Sequence, residues 1–371
     1  MKRSWFRGLL AGSMLACSLI VAGMASAADA PAGLEKQGKP ELKSAGPLTF
    51  GPAGVLFVGD PIGAQLFAIG VPAGSTSEPA GFKLEGVDAK IAAALGIPAS
   101  DLLINDMAVQ PGTNVAYVSV SRGKGPDALP AIVTVNTKGE VAPVDLASVN
   151  YAVIAIKNAP GPDQKDRRGN LVRLESITDL AFVEEKLYVA GLSNEEFAST
   201  MRVIAFPFTS ADTSTAVEIY HGAHGAYETR SPVRTFTPFM FGGEPHLLAA
   251  YTCTPLVKLP VADLKPGTKL RGTTIAELGN RNRPLDIVSY EKGGRTYLLM
   301  ANSARGVMKM STDEIEKVEG ITSKIDDKAG LGYETLAGLE GVEHLDRLGE
   351  GDVLLLVRTT AGVKLESIPL P

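Results

Sequence analysis

The sequence predicts an all-β chain folded as a β-propeller of about six four-stranded blades, with seven as the neighbouring count. Three observations lead there. Strand-turn-strand units recur every 50 or so residues. Long amphipathic helices are scarce, and Gly, Pro, Asn and Asp break nearly every apolar run. Sequential antiparallel strands cannot each bury both of their faces alone, and radial packing around one axis covers them. A β-sandwich or a pair of β domains is the competing arrangement.

The chain starts with Lys2, Arg3 and Arg7, an apolar run over residues 9–24 and the small residues Ala25-Ser26-Ala27. That is the layout of a secretory leader cleaved after Ala27, so residues 1–27 are set apart and a periplasmic or secreted location is expected. No later run approaches the roughly 20 apolar residues of a membrane span. Removing three basic residues with the leader takes the net charge from −5 to −8. An acidic surface argues against nucleic acid as a partner. The sole tryptophan, Trp5, lies in the leader, and Cys253 is the one cysteine left after cleavage, so no intramolecular disulfide can form.

Residues 28–46 form an N-terminal segment and 47–371 the propeller. Within it, residues 104–121, 177–193 and 284–303 each place an Asp before an apolar strand, a polar turn and a second strand. Residues 48–60, 237–253 and 343–360 repeat the shape without that Asp. Third runs follow at 64–69, 131–136, 202–208, 256–261, 306–310 and 363–370, and weaker fourth runs at 140–146, 216–222 and 272–278. Helical patterning is confined to residues 88–95 and 312–317. The last blade lacks an outer strand, and residues 40–45 (PELKSA) are expected to supply it, clasping the two ends of the chain.

The stretch GDPIGAQLFAI from Gly59, and the pattern DLAF…LYVAG from Asp179, resemble the blades of six-bladed propellers of the lactonase and NHL-like type. The resemblance covers most of residues 47–371. It implies the architecture and leaves the activity open. The absence of Trp after the leader sets the chain apart from WD-repeat and tryptophan-docked propellers.

In such a blade the loops before the first strand and after the second open on one face. That face should carry Asp106, Asp179, Asp286, Arg234, Arg283, Asn302 and Arg358, together with the connection 220–234 (YHGAHGAYETRSPVR). The opposite face should carry ordinary turns such as Gly112, Glu184-Glu185 and Gly242-Gly243.

Three groups could hold a ligand. His221, His224 and Cys253 offer a soft three-donor set for Cu or Zn, against the alternative of solvated histidines and an inert buried thiol. His246 is set aside because it starts a strand whose other end leads to Cys253. Arg230, Arg234, Arg281, Arg283 and Arg305, with Asn302, could grip an anionic ligand, since a guanidinium fork suits carboxylates and phosphates. The alternative is that Arg283 and Arg305 form bridges between blades with Asp286, Asp179 and Glu228. Asp106, Asp179 and Asp286 could converge on calcium, or simply accept backbone N–H bonds.

Residues 161–170 form a polar excursion that could meet a protein partner. No G-x-S-x-G, zincin helix, haem-attachment motif or P-loop is present, and His344 has no nucleophile tied to it by spacing. The sequence thus points to an exported propeller that binds a small-molecule or protein ligand, or a metal, through one face. A loop-built lactone or ester hydrolase, or a lyase, is the alternative.

Overall fold

The computed structural model describes residues 31–72, 74, 80–209 and 214–371; the leader expected over 1–27 lies outside them. Among the described residues six sheets stand around one axis, antiparallel but for the short parallel pair of Ser214–His221 with Lys269–Arg271. Counted along the chain, their inner strands are Leu48–Phe50, Leu102–Val109, Asp179–Val183, Val233–Phe241, Pro284–Lys292 and Val342–Leu348. The second strand of each blade is a nearly unbroken apolar run. Val55–Asp60 is buried throughout, and Val353–Val357 in the last blade is 0–4 % exposed. Such runs arise because both faces of a blade pack against neighbours, so alternation disappears where burial is two-sided. The single α-helix among the described residues, Val87–Leu95, matches the helical patterning at 88–95; the 312–317 candidate forms only the 3-10 turn Ile315–Lys317.

The blades are not arranged in chain order. The inner strand of the second blade lies between those of the first and the sixth, and the first lies between the second and third. After the first blade's third strand (Gln65–Gly70), the chain crosses to the sixth blade. There Lys83–Leu84 pairs with Leu365 and Glu366 as the outer strand. It then builds the second blade and returns as Val149–Ala155, which pairs with Gln65–Ile69 to complete the first. A reading that pairs each strand with its sequence neighbour cannot see this exchange.

Closure of the last blade therefore comes from the N-terminal third of the chain, but from Lys83–Leu84 and not from residues 40–45. The reason is local. The buried Asp60 accepts hydrogen bonds from the Lys43 and Ser44 backbone (both 2.9 Å) and from Ser44 Oγ (2.6 Å), which holds that segment as a loop. Just upstream, Lys36–Gly38 pairs with Val149–Tyr151 at the edge of the first blade.

Neighbouring blades are stitched by aspartates, always in one rotational sense. Asp106 accepts from Leu48 N (2.7 Å), Asp179 from Phe236 N (2.7 Å), Asp286 from Leu345 N (2.9 Å) and Asp346 from Val109 N (2.7 Å). Each bond runs from one blade to the inner strand of the next, satisfying a backbone donor that the blade's own sheet leaves unpaired. The aspartates thus do accept backbone N–H groups, and four of the six joins use them.

Candidate functional site at the channel mouth

Four inner strands carry a β-bulge at the same level. The register slips between Ile104 and Asp106, Val233 and Thr235, Pro284 and Asp286, and Val342 and His344. A bulge adds one residue and re-aims the side chains beside it. Asp106, Thr235, Asp286 and His344 therefore occupy one repeated station, and with Asp179 they face the mouth of the channel. All five line a funnel of about 1440 Å³ on the face bearing the loops before first strands and after second strands.

On the floor, His344 Nδ1 lies 3.2 Å from Asp106 Oδ1 and 4.0 Å from Asp286 Oδ2. The side chains of these three residues keep 16–19 % of their surface open, enough for a solute to touch them. Enclosure by the channel, then repulsion from Asp106, raises the Asp179 carboxyl to about 7. The same causes, with Asp179 added, push Asp286 well above the carboxylate range. Asp346, deeper in the channel, rises to about 6, mainly through burial. Gathered carboxylates that water solvates only in part favour shared protons or a cation between them. The donor atoms of Asp106, Asp286 and His344 lie within 4.8 Å of one another, so these three could hold a divalent ion.

The rim is basic. Arg234 is fixed by Thr252 Oγ1 (2.7 Å) and Glu175 (2.6 Å), and Arg358 forms a two-pronged pair with Glu343 (2.6 and 2.9 Å). Arg173 donates to the carbonyls of Ile62 and Pro160. Arg283 differs: among the described residues its guanidinium makes no hydrogen bond or ion pair. Partial enclosure, then repulsion from Arg234, lowers its pKa. Asn302 also lines the funnel, holding Asn282 Oδ1 at 2.8 Å. Leu103 and Leu174, 57 % and 50 % exposed, add apolar surface to the mouth.

Of the residues singled out from the sequence, the structure brings Asp106, Asp179, Asp286, Arg234, Arg283 and Asn302 to one cavity. Arg230, Arg281 and Arg305 are not among its lining, and Arg305 donates to the Asn280 carbonyl. The expected bridges from Arg283 and Arg305 to Asp286, Asp179 or Glu228 do not form among the described residues. The aspartates are occupied by backbone N–H groups, and Glu228 by histidines. His344, Glu175 and Glu343 were not picked out as site residues. For His344 the signal was available: it takes, in the sixth blade, the station that Asp106 and Asp286 take in theirs.

The histidine pair lies elsewhere, at the outer edge of the third blade. His221 closes the strand Ser214–His221, and His224 and Glu228 belong to the hairpin that follows. Glu228 joins the two rings, at 3.0 Å from His221 Nδ1 and 2.5 Å from His224 Nδ1. Cys253 is half-buried, in a turn with φ 78°, and is not among the donors that lie within 4.8 Å of one another. The structure thus groups the histidines with Glu228, where the sequence suggested Cys253. His246, 7 % exposed, sits at the far end of the strand Glu244–Tyr251 and holds the Glu244 carbonyl.

No family model matches the chain, and no curated protein does. Among solved structures it is similar to BBS1N, crystallised in complex with ARL6, at 14 % identity and TM-score 0.33, covering 85 % of this chain and 75 % of that one. It is similar to Raptor from Chaetomium thermophilum at 12 % identity and TM-score 0.36, over 90 % of this chain and 29 % of that one. It is also similar to the plexin A4 extracellular region at 6 % identity and TM-score 0.41, over 88 % and 46 %. The fold rests on the strand pairings themselves.

Proposed function

We propose that this protein is an exported propeller that captures a small organic solute bearing an anionic group in the channel-mouth funnel. One observation carries the reading. Among the described residues the exposed guanidinium of Arg283 makes no hydrogen bond or ion pair, beside the fixed Arg234, and it lines the same funnel as the channel aspartates and His344. A guanidinium with no partner of its own is a ready fork for a carboxylate or phosphate. The floor can donate a proton from Asp179 or Asp286 to a polar group on the same solute, and Leu103 and Leu174 cover its apolar part. The acidic net charge agrees with a solute other than nucleic acid, and no helix among the described residues is long and apolar enough to cross a membrane. Export rests on residues 1–27.

The test is a thermal-shift screen of the mature chain against small carboxylates and organic phosphates, followed by calorimetry of the hits. Binding should weaken about tenfold or more in Arg283→Ala, which corresponds to roughly 1.4 kcal/mol. Hits that bind equally well to Arg283→Ala and Asp286→Asn would remove the reading.

A second reading, hydrolysis or elimination assisted by a cation, is favoured by the close approach of Asp106, Asp286 and His344. The supporting result is turnover of lactones or esters that a chelator stops and Asp179→Asn slows.

A further inference from the structure

Away from the channel, the edge of the third blade holds a second cluster. His221 is 1 % exposed, His224 is 55 % exposed, and Glu228 lies between them. The ring centroids are 3.9 Å apart. The donor atoms of all three residues lie within 4.8 Å of one another. His221 is oriented from behind, because its Nε2 shares a hydrogen bond of 2.9 Å with Thr254 Oγ1, on the fourth blade. That leaves Nδ1 directed at the cluster, and a ring held through its second nitrogen is the usual arrangement of a metal-ligating histidine.

A separate observation points to a missing positive charge. Glu277, on the fourth blade and 1 % exposed, accepts the Gly222 N–H (2.5 Å), which lies next to His221 in the chain, through one oxygen. Its other oxygen is buried and has no hydrogen-bond partner among the described residues. An orphaned carboxylate oxygen in a protein interior is costly unless a cation lies close enough to compensate it.

We propose that His221, His224 and Glu228 form a mononuclear site for a zinc-class divalent ion. Two imidazole nitrogens and a carboxylate are a donor set that zinc takes with one position left open. Here the open position faces solvent on the His224 side. Glu277 supplies charge from the second layer, and Cys253 stays outside the donor set. The ion ties the end of the strand Ser214–His221 to its own hairpin and, through Thr254, to the next blade.

The experiment is titration of the chelator-treated mature chain with zinc chloride by calorimetry, and with cobalt chloride by visible absorption. One equivalent should bind, with a d–d band of a four- or five-coordinate cobalt ion, and zinc should raise the melting temperature. His224→Ala, at an exposed position, should weaken binding by more than the roughly 10–100-fold that loss of a supporting partner brings. Glu228→Gln, close in shape, provides a second variant should His224→Ala fold poorly. Asp286→Asn and Cys253→Ser should keep the band. No bound ion, or binding unchanged in both His224→Ala and Glu228→Gln, overturns the site. So does loss of the band in Asp286→Asn, which would move the ion to the channel, or in Cys253→Ser, which would change the donor set.

Discussion

The axial cluster takes Asp106, Asp179, Asp286 and His344 from four blades, whereas the edge cluster takes His221, His224 and Glu228 from one blade and its hairpin. Both crowd acidic and imidazole groups together, but for different structural reasons. On the axis, each aspartate first serves the ring, accepting a backbone N–H from the next blade, and the mutual approach of the carboxylates follows from ring closure. At the edge the backbone donors are met by strand pairing, by turn carbonyls and, at Gly222, by Glu277, while Glu228 bonds the two histidines. The axial cluster is therefore tied to stability, whereas at the edge the more open His224 and Glu228 can be altered with little cost to the fold.

Cutting one residue from each cluster tests that difference most strongly. Asp286→Ala leaves the N–H groups of Ile287 and Leu345 without their acceptor. At about 1–3 kcal/mol for a buried donor left unpaired, the expected loss is about 2–4 kcal/mol. Glu228→Ala removes only side-chain bonds at a partly open site and should cost about 1 kcal/mol. Urea unfolding of the two variants, with unchanged m-values, is the measurement. Equal losses would mean that the aspartate stitches do not hold the ring.

The two clusters should also respond to pH with opposite sign. Asp179 sits at about 7 in the fold against an ordinary 3.8, with Asp346 at about 6 and Asp286 raised too. Between about pH 4 and 7 the folded chain holds more protons than the unfolded one. Stability from these groups is full below pH 4 and is lost as the pH rises, by at most about 1.4 kcal/mol per unit for each group. Glu228 runs the other way. Burial opposes it, but the hydrogen bonds from His221 and His224 hold its carboxyl below the usual 4.5. Its contribution is present above that value and is lost as the pH falls through the lowered one. Unfolding free energies from pH 3 to 8 should thus flatten on the neutral side in Asp179→Asn and change only on the acid side in Glu228→Gln. A neutral-side slope that survives Asp179→Asn would show that the axial carboxyls are not the protonated groups.

The same contrast explains what the sequence revealed. The edge cluster is local, so the spacing HGAHGAYE displays it; cysteine is the softer ligand, but Glu228 of the hairpin, and not Cys253, is the group whose donor atom lies within 4.8 Å of both rings. The axial aspartates were visible because they repeat ahead of inner strands. His344 is hidden in the sequence because it breaks the repeat of residue type while keeping the repeated position after a bulge. The blade count could be read from local strand pairs. The order of the blades could not, since it depends on Val149–Ala155 reaching back some 80 residues to Gln65–Ile69 and on Lys83–Leu84 joining the last blade.

The smallest effect on stability should come from the residue that matters most to the proposed ligand. Arg283 is exposed and among the described residues has no hydrogen bond or ion pair to lose, only a longer-range attraction to Glu175, so Arg283→Ala should leave the unfolding free energy within about 0.5 kcal/mol. It should even relieve Arg234 of a like charge. Arg234 is only 14 % exposed and donates to Glu175 and Thr252, so Arg234→Ala removes two hydrogen bonds and the packing of a largely buried side chain and should destabilise by about 1–3 kcal/mol. Two arginines a few residues from the same floor would then separate by function: one builds the rim and the other is kept free on it. If Arg283→Ala destabilised as much as Arg234→Ala, Arg283 would be a structural residue, and its guanidinium could no longer be read as waiting for an anion.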